Sequence, residues 1–123
     1  SYRPESDWAI STNKLYDPKW AAPEGAKLVF DVKSERPNVL VVRIDDFCAK
    51  IDLQGGSEWQ RVELAESSFS GGSDFVWKGV KTLKLAPKEI VREKDPSKNL
   101  TFGGVWKGVA PEFKNLHWEV ASK

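Results

Sequence analysis

The sequence predicts an all-β fold, an antiparallel two-sheet β-sandwich of about eight short strands, and three observations carry that expectation. Runs in which apolar and polar residues alternate recur along the chain, the period of a strand with one buried face. Turn residues separate these runs at short intervals, Gly55-Gly56, Ser70-Gly71-Gly72-Ser73 and Asp95-Pro96-Ser97 among them. No segment reads convincingly as a helix, so strand-helix-strand units are not indicated. A chain of 123 residues is expected to form one domain, residues 1–123, around one core.

The elements follow in order. Asp7-Trp8-Ala9-Ile10-Ser11 alternates with Trp8 and Ile10 inward, and a long aromatic loop runs from Tyr16 to Gly25. Lys27 to Lys33 is a half-buried strand, with Leu28, Phe30 and Val32 on one face and Lys27, Asp31 and Lys33 on the other. After a turn at Ser34 to Asn38, Val39 to Ile44 is apolar and β-branched enough for a central strand, which Asp45-Asp46 closes. Beyond Phe47-Cys48, Ala49 to Leu53 alternates strictly up to the Gly-Gly turn. Trp59 to Leu64 then fits a strand with Val62 and Leu64 inward. Val80 to Leu85 alternates again, and the charged run Lys88 to Lys98 reads as an extended edge segment followed by a loop. Asn99 to Phe102 and Phe113 to Val120 supply the last two strands. In the second, Leu116, Trp118 and Val120 share the inner face, leaving His117 and Glu119 to solvent.

One string recurs letter for letter: Val76-Trp77-Lys78-Gly79-Val80 and Val105-Trp106-Lys107-Gly108-Val109. The flanks do not match, which argues against a solenoid or propeller. What the copies share is local, an indole and an ammonium beside a glycine near a loop end of the sandwich.

Scarce residues exclude several chemistries. A single cysteine, Cys48, and a single histidine, His117, cannot assemble an intrachain disulfide or a four-ligand Cys/His zinc site. Cys48 reads as a small core hydrophobe. Any Ser/His/Asp or Cys/His arrangement would have to recruit His117, which the alternation turns toward solvent. No Gly-x-Gly-x-x-Gly fingerprint or phosphate-binding loop occurs. A formal charge of +1 offers no global field for nucleic acid, and no apolar run is long enough for a membrane span. The expectation is therefore no nucleic-acid partner and no membrane insertion. The chain begins without the charged and apolar regions of a signal peptide, as the mature or excised part of a secreted protein would. The abundant residues are aromatic: six Trp, six Phe and two Tyr, against no Met.

The string Gly56-Ser57-Glu58-Trp59-Gln60-Arg61-Val62-Glu63-Leu64, with Ser68-Phe69 after it and Trp77 to Leu85 beyond, resembles the middle of galactose-binding-like β-sandwich domains. The ending Trp106-Lys107-Gly108-Val109-Ala110-Pro111-Glu112-Phe113-Lys114-Asn115-Leu116-His117-Trp118 is similar to the terminal strand region of carbohydrate-binding modules. Such modules are appended to secreted bacterial glycoside hydrolases and esterases. The resemblance spans nearly the whole chain. It implies a jelly-roll fold, saccharide recognition without catalysis, a secreted or extracellular location and a neighbouring catalytic domain in the same polypeptide. It also implies a structural calcium ion between strands, with no other cofactor. It transfers no specific ligand residue.

A sugar site needs indoles in solvent, where a flat ring meets the C–H face of a pyranose and polar neighbours bond its hydroxyls. Trp8, Trp59 and Trp118 begin strands or lie in phase with their apolar residues and are assigned to the core. Trp20, Trp77 and Trp106 lie beside Pro, Gly and Lys in predicted loops, so these three, with Lys78 and Lys107, are the ligand-binding candidates. The competing reading has the loop indoles plugging the open ends of the sandwich. Asp45, Asp46, Asp52 and Glu58 are the acids from which a glycosidase pair could be drawn. No Asp-x-Asp-x-Asp-Gly loop locates a calcium site. The expected function is a non-catalytic carbohydrate-binding module taking a polysaccharide or oligosaccharide. The alternative is a structural or protein-interaction sandwich packed against a neighbouring domain.

Overall fold

The computed structural model describes residues 9–12, 22–23, 25–70, 75–91, 95, 97 and 99–120. Trp8, Trp20, most of the Tyr16 to Gly25 loop and the Gly71 to Asp74 connection lie outside them. Among the described residues every regular element is a strand, apart from one 3-10 turn at Glu66–Ser68. The strands are β1 (Ile10–Thr12), β2 (Ala26–Lys33), β3 (Asn38–Ile44), β4 (Phe47–Leu53), β5 (Trp59–Leu64), β6 (Leu83–Ala86), β7 (Lys88–Val91), β8 (Leu100–Gly103) and β9 (Glu112–Val120). All pairings are antiparallel. One sheet runs β1-β6-β3-β4, a second β5-β2-β9, and β7-β8 form a two-stranded third.

Strand phases decide where the core sits. Leu28, Phe30 and Val32 of β2 and Val62 and Leu64 of β5 meet Leu40, Val42 and Ile44 of β3, Ala49 and Leu53 of β4, and Leu83 and Leu85 of β6 in one apolar cluster. The larger sheets thus face each other across that cluster, a sandwich-like arrangement. The alternation predicted for β2, β4 and β5 selects these residues. Two end positions depart from it: Ile10, in the edge strand β1, and Val120, the last residue of β9, are both exposed.

β3 reads as a central strand because it is covered on both sides. Its odd-numbered side places Val41 against Cys48 of β4, Val91 of β7 and Phe102 of β8 in a second small cluster. The hairpin β7-β8 is therefore a third layer over the outer face of the four-stranded sheet, and the predicted edge segment after Lys88 is a paired strand. Cys48 is fully buried there, and burial pushes its thiol up to about 11, so it acts as the small core hydrophobe expected.

A polar clamp pins this layer. Glu89 of β7 is only 7% exposed. Arg43 Nη1 donates to its Oε1 at 3.0 Å, and Lys84 Nζ lies 2.9 Å from its Oε2. Arg43 also donates to Asp46 Oδ1 at 3.0 Å and to the Asp45 carbonyl at 2.8 Å. A buried carboxylate is tolerable only when so paired, and removing its charge leaves two cations beside a neutral amide. Glu89→Gln is expected to lower the unfolding free energy by about 1–3 kcal/mol in urea titrations. The cost stays below that of a fully buried pair because the Lys84 side chain is 41% exposed.

Candidate functional site

The loop tryptophans expected in solvent are buried: Trp77 is 5% and Trp106 4% exposed. Each follows from its turn. Gly79 and Gly108 take φ of +84° and +81°, the left-handed region that glycine enters without steric cost. The Val80 N–H bonds the Trp77 carbonyl at 3.3 Å across the first turn. The chain doubles back there, the indole folds onto the core, and the lysine is left at the tip. Buried indole N–H groups need acceptors. Trp77 Nε1 donates to the Ala26 carbonyl at 2.8 Å and Trp106 Nε1 to that of Val109 at 2.9 Å. Trp77 also meets Phe69, Phe75 and Trp118 edge-on, with centroids 4.8–5.5 Å apart.

The two copies close opposite ends of the fold. Trp77 bonds the first residue of β2, whereas Lys107 is held by Asn38, which opens β3 just after β2 ends. The Lys107 N–H donates to Asn38 Oδ1 at 2.8 Å, and Asn38 Nδ2 donates to the Lys107 carbonyl at 2.9 Å. Eight residues of β2, roughly 25 Å of strand, separate them. Lys78 and Lys107 are both exposed, and the structure does not bring the predicted ligand residues together. Trp20 lies outside the described residues.

Trp59 departs from its core assignment in the opposite sense, at 40% exposed. The cause is the strand period: Val62 and Leu64 face in, so Trp59, Arg61 and Glu63 face out. That count was available in the sequence and is the signal that strand-initial position obscured. Gln60, on the other side of β5, ties the strand to β4. Its Nε2 donates to the Asp52 carbonyl at 3.1 Å, and its Oε1 accepts the Gln54 N–H at 3.0 Å. The loop before Trp59 lies close against the β2–β3 turn. Gly55 has φ +80°, and a Cβ there would sit 2.5 Å from the Arg36 carbonyl carbon.

Around Trp59 the outer face of the three-stranded sheet is polar. Lys33 is its cross-strand neighbour on β2, and Glu112 stands across Lys33 on β9. Lys33 Nζ lies 5.3 Å and Lys114 Nζ 4.1 Å from the indole centroid, within cation–π range. Lys33 also pairs with Glu112 at 3.8 Å. Lys114 reaches this position by regular pairing with β2, and a bulge follows it. The β2–β9 register shifts between Val29 and Asp31, so Asn115 and Leu116 both stand opposite Phe30, with Asn115 at φ +61°. The extra residue lets Phe113 and Leu116 both pack on the core.

Farther along the same face runs an ion-pair chain: Lys27 with Glu63 at 3.6 Å, Arg61 with Glu63 at 3.1 Å and Glu119 at 2.6 Å, and His117 Nε2 with Glu119 at 2.6 Å. Val29, on this face, is 1% exposed. The Arg61 guanidinium and then His117 hold the Glu119 carboxyl down to about 2. The Glu119 carboxylate, and then the Asn115 carbonyl beside Nδ1, raise His117 above the ordinary 6.5.

The acids from which a glycosidase pair could be drawn are otherwise engaged or dispersed. Asp45 accepts the N–H groups of Lys81 and Thr82 and the Thr82 hydroxyl, and Asp46 pairs with Arg43. These two do not fit a cation site. Glu58 is exposed, and Asp52 lies in a groove of about 660 Å³ beside the four-stranded sheet, with Lys50, Val39, Val105 and Lys107. No aromatic side chain lines that groove. Among the described residues, no group of three or more His, Cys, Asp or Glu is placed to hold a metal ion.

Two outcomes follow. Trp77→Ala and Trp106→Ala are each expected to lower the unfolding free energy by about 3–5 kcal/mol in urea, whereas Lys78→Ala changes it by less than about 0.5 kcal/mol. For His117, the raised value means its stabilisation is complete below pH 6.5 and is lost as pH rises through the folded value. The Glu119 contribution is present above its ordinary 4.5 and is lost as pH falls through about 2. NMR titration should place the His117 transition above 6.5, and Glu119→Gln should return it toward 6.5.

No protein-family model, curated protein or solved structure matches the chain.

Proposed function

We propose that the chain is a non-catalytic carbohydrate-binding module of the jelly-roll, galactose-binding-like kind, secreted as an accessory to a polysaccharide-active enzyme, and that it takes its glycan on the Trp59 platform. The observation that carries this reading is the exposed Trp59 ring, set on a sheet face among Lys33, Lys114 and Glu112. An indole in solvent wants an apolar partner, and a pyranose offers one in its axial C–H groups. The flanking ammonium and carboxylate groups are donors and acceptors for sugar hydroxyls. Lys114 over the ring is no barrier. An exposed cation–π contact is worth about 0.5–1 kcal/mol, and the four-carbon stem can swing aside.

The groove favours a second reading, docking of a protein neighbour. Val105 is 84% and Val39 37% exposed, and Lys50, Asp52 and Lys107 line the groove with them, a mix of exposed apolar and charged side chains that a protein partner would cover.

Affinity electrophoresis and calorimetry over a panel of soluble polysaccharides separate the two. At least one glycan is expected to bind, and Trp59→Ala should weaken it about tenfold or more, a loss of about 1.4 kcal/mol, with the circular dichroism spectrum unchanged. Trp77 and Trp106 variants that remain folded should bind normally. Failure of every glycan to bind sinks the proposal, and full retention of binding by Trp59→Ala moves the site elsewhere.

A further inference from the structure

We infer that the saccharide held on the Trp59 platform is anionic, carrying a carboxylate or sulfate beside the ring that stacks. The inference rests on the glycan-binding reading and deepens it. Its source is the charge pattern of the outer face of the β5-β2-β9 sheet, where the acids are already engaged. Glu63 meets Arg61 and Lys27, Glu119 meets Arg61 and His117, and Glu112 meets Lys33.

Asp31 decides the case. It stands directly across from Lys114 in the β2–β9 register, the position from which a cross-strand ion pair normally forms. No such pair forms. Asp31 Oδ2 instead accepts Asn115 Nδ2 at 2.8 Å, an amide brought there by the bulge, and Lys114 turns to the Trp59 ring at 4.1 Å. Among the described residues no carboxylate pairs with the Lys114 ammonium. Lys33, on the neighbouring strand, is held only loosely by Glu112 at 3.8 Å while also lying over the indole.

An exposed ammonium whose contact is an aromatic ring is a donor awaiting an anion. A sugar stacked on the indole would displace the Lys114 ammonium from over the ring toward its edge, where the substituents of the sugar ring would meet it and Lys33. A neutral hydroxyl there would gain an ordinary hydrogen bond. A carboxylate or sulfate would gain a charge-assisted one, shorter and stronger. Screening limits the effect at an exposed site, so the preference should be moderate and salt-sensitive.

Matched polymers test this. Polygalacturonate is compared with its fully methyl-esterified form, and dextran sulfate with dextran, by calorimetry at low salt and in 0.5 M NaCl. The anionic member of at least one pair is expected to bind roughly fivefold tighter or more at low salt, and most of that ratio should vanish in high salt. A preference in the first pair alone identifies the carboxylate, and in the second alone the sulfate. Lys114→Gln is expected to bind the two members of the pair alike. Lys78→Gln, at the far end of the fold, should keep the wild-type ratio. Equal binding within both pairs overturns the inference and leaves the glycan reading standing, as does binding only to other neutral polymers. No binding to any glycan removes the reading itself. A preference kept by Lys114→Gln, or lost equally in Lys78→Gln, shows non-specific attraction of polyanions and also overturns it.

Discussion

The structure depends on β3 being buried on both faces. One side of Asn38–Ile44 sends Leu40, Val42 and Ile44 into the main core, and the other presses Val41 against Cys48, Val91 and Phe102. A strand covered twice needs a layer on each side, and the second layer is only a two-stranded hairpin. Four-residue strands bury too little apolar surface to hold a position alone. Glu89 supplies the remainder by tying the hairpin to Arg43 and Lys84 of the sheet beneath. That covering takes up part of the outer face of the four-stranded sheet. The three-stranded sheet carries no such layer among the described residues, and its outer face is where an aromatic residue stands exposed among charges.

The tryptophans divide by what surrounds their N–H groups and rings, not by whether they fall in strands or loops. An indole buries a large apolar area and has one donor to satisfy. Trp77 and Trp106 find both conditions, each packed on the core with a carbonyl in reach. The repeated pentapeptide is a recurring solution to closing an end: the glycine turns the chain, and the indole covers the core. Trp59 has no such pocket because its strand phase turns it outward.

Much of this was legible in the sequence. The inward residues of β2, β4 and β5 follow from period two, and so does the outward side of His117 beside Glu119, whereas Cys48 shares the outward phase of Lys50 and Asp52 and is buried because the β7-β8 hairpin covers it. The reassigned indoles were legible in part. Counting back from Val62 and Leu64 places Trp59 outside, whereas its position at the start of a strand suggests burial. No local rule places Trp77, whose acceptor Ala26 lies 51 residues away; the acceptor of Trp106, Val109, lies within the repeated string itself, but which end of the fold that loop covers is not set locally. The hairpin layer and the bulge at Asn115 are likewise non-local. Phe113 and Leu116 are three residues apart, a spacing that a regular strand cannot put on one face. The sequence shows that conflict, and only pairing with β2 shows how the extra residue resolves it.

The bulge links fold to binding chemistry. It is needed so that Phe113 and Leu116 both reach the core, and at Asn115 it adopts the left-handed conformation that asparagine tolerates better than most residues. The same residue then caps Asp31 with its side-chain amide. Without the bulge, β9 beyond Lys114 would shift by one residue, and a one-residue slip exchanges the two faces of a strand. Asp31 would then lack that amide, and Lys114 across from it would be the nearest donor. A packing requirement on one face of β9 thus sets the charge pattern on the other. The ion pairs farther along the face are individually weak because they are exposed. Together they keep Glu63 and Glu119 engaged away from Trp59. What remains beside the indole is an ammonium held by a π-face, the weakest of its available partners and the one most readily exchanged for a ligand.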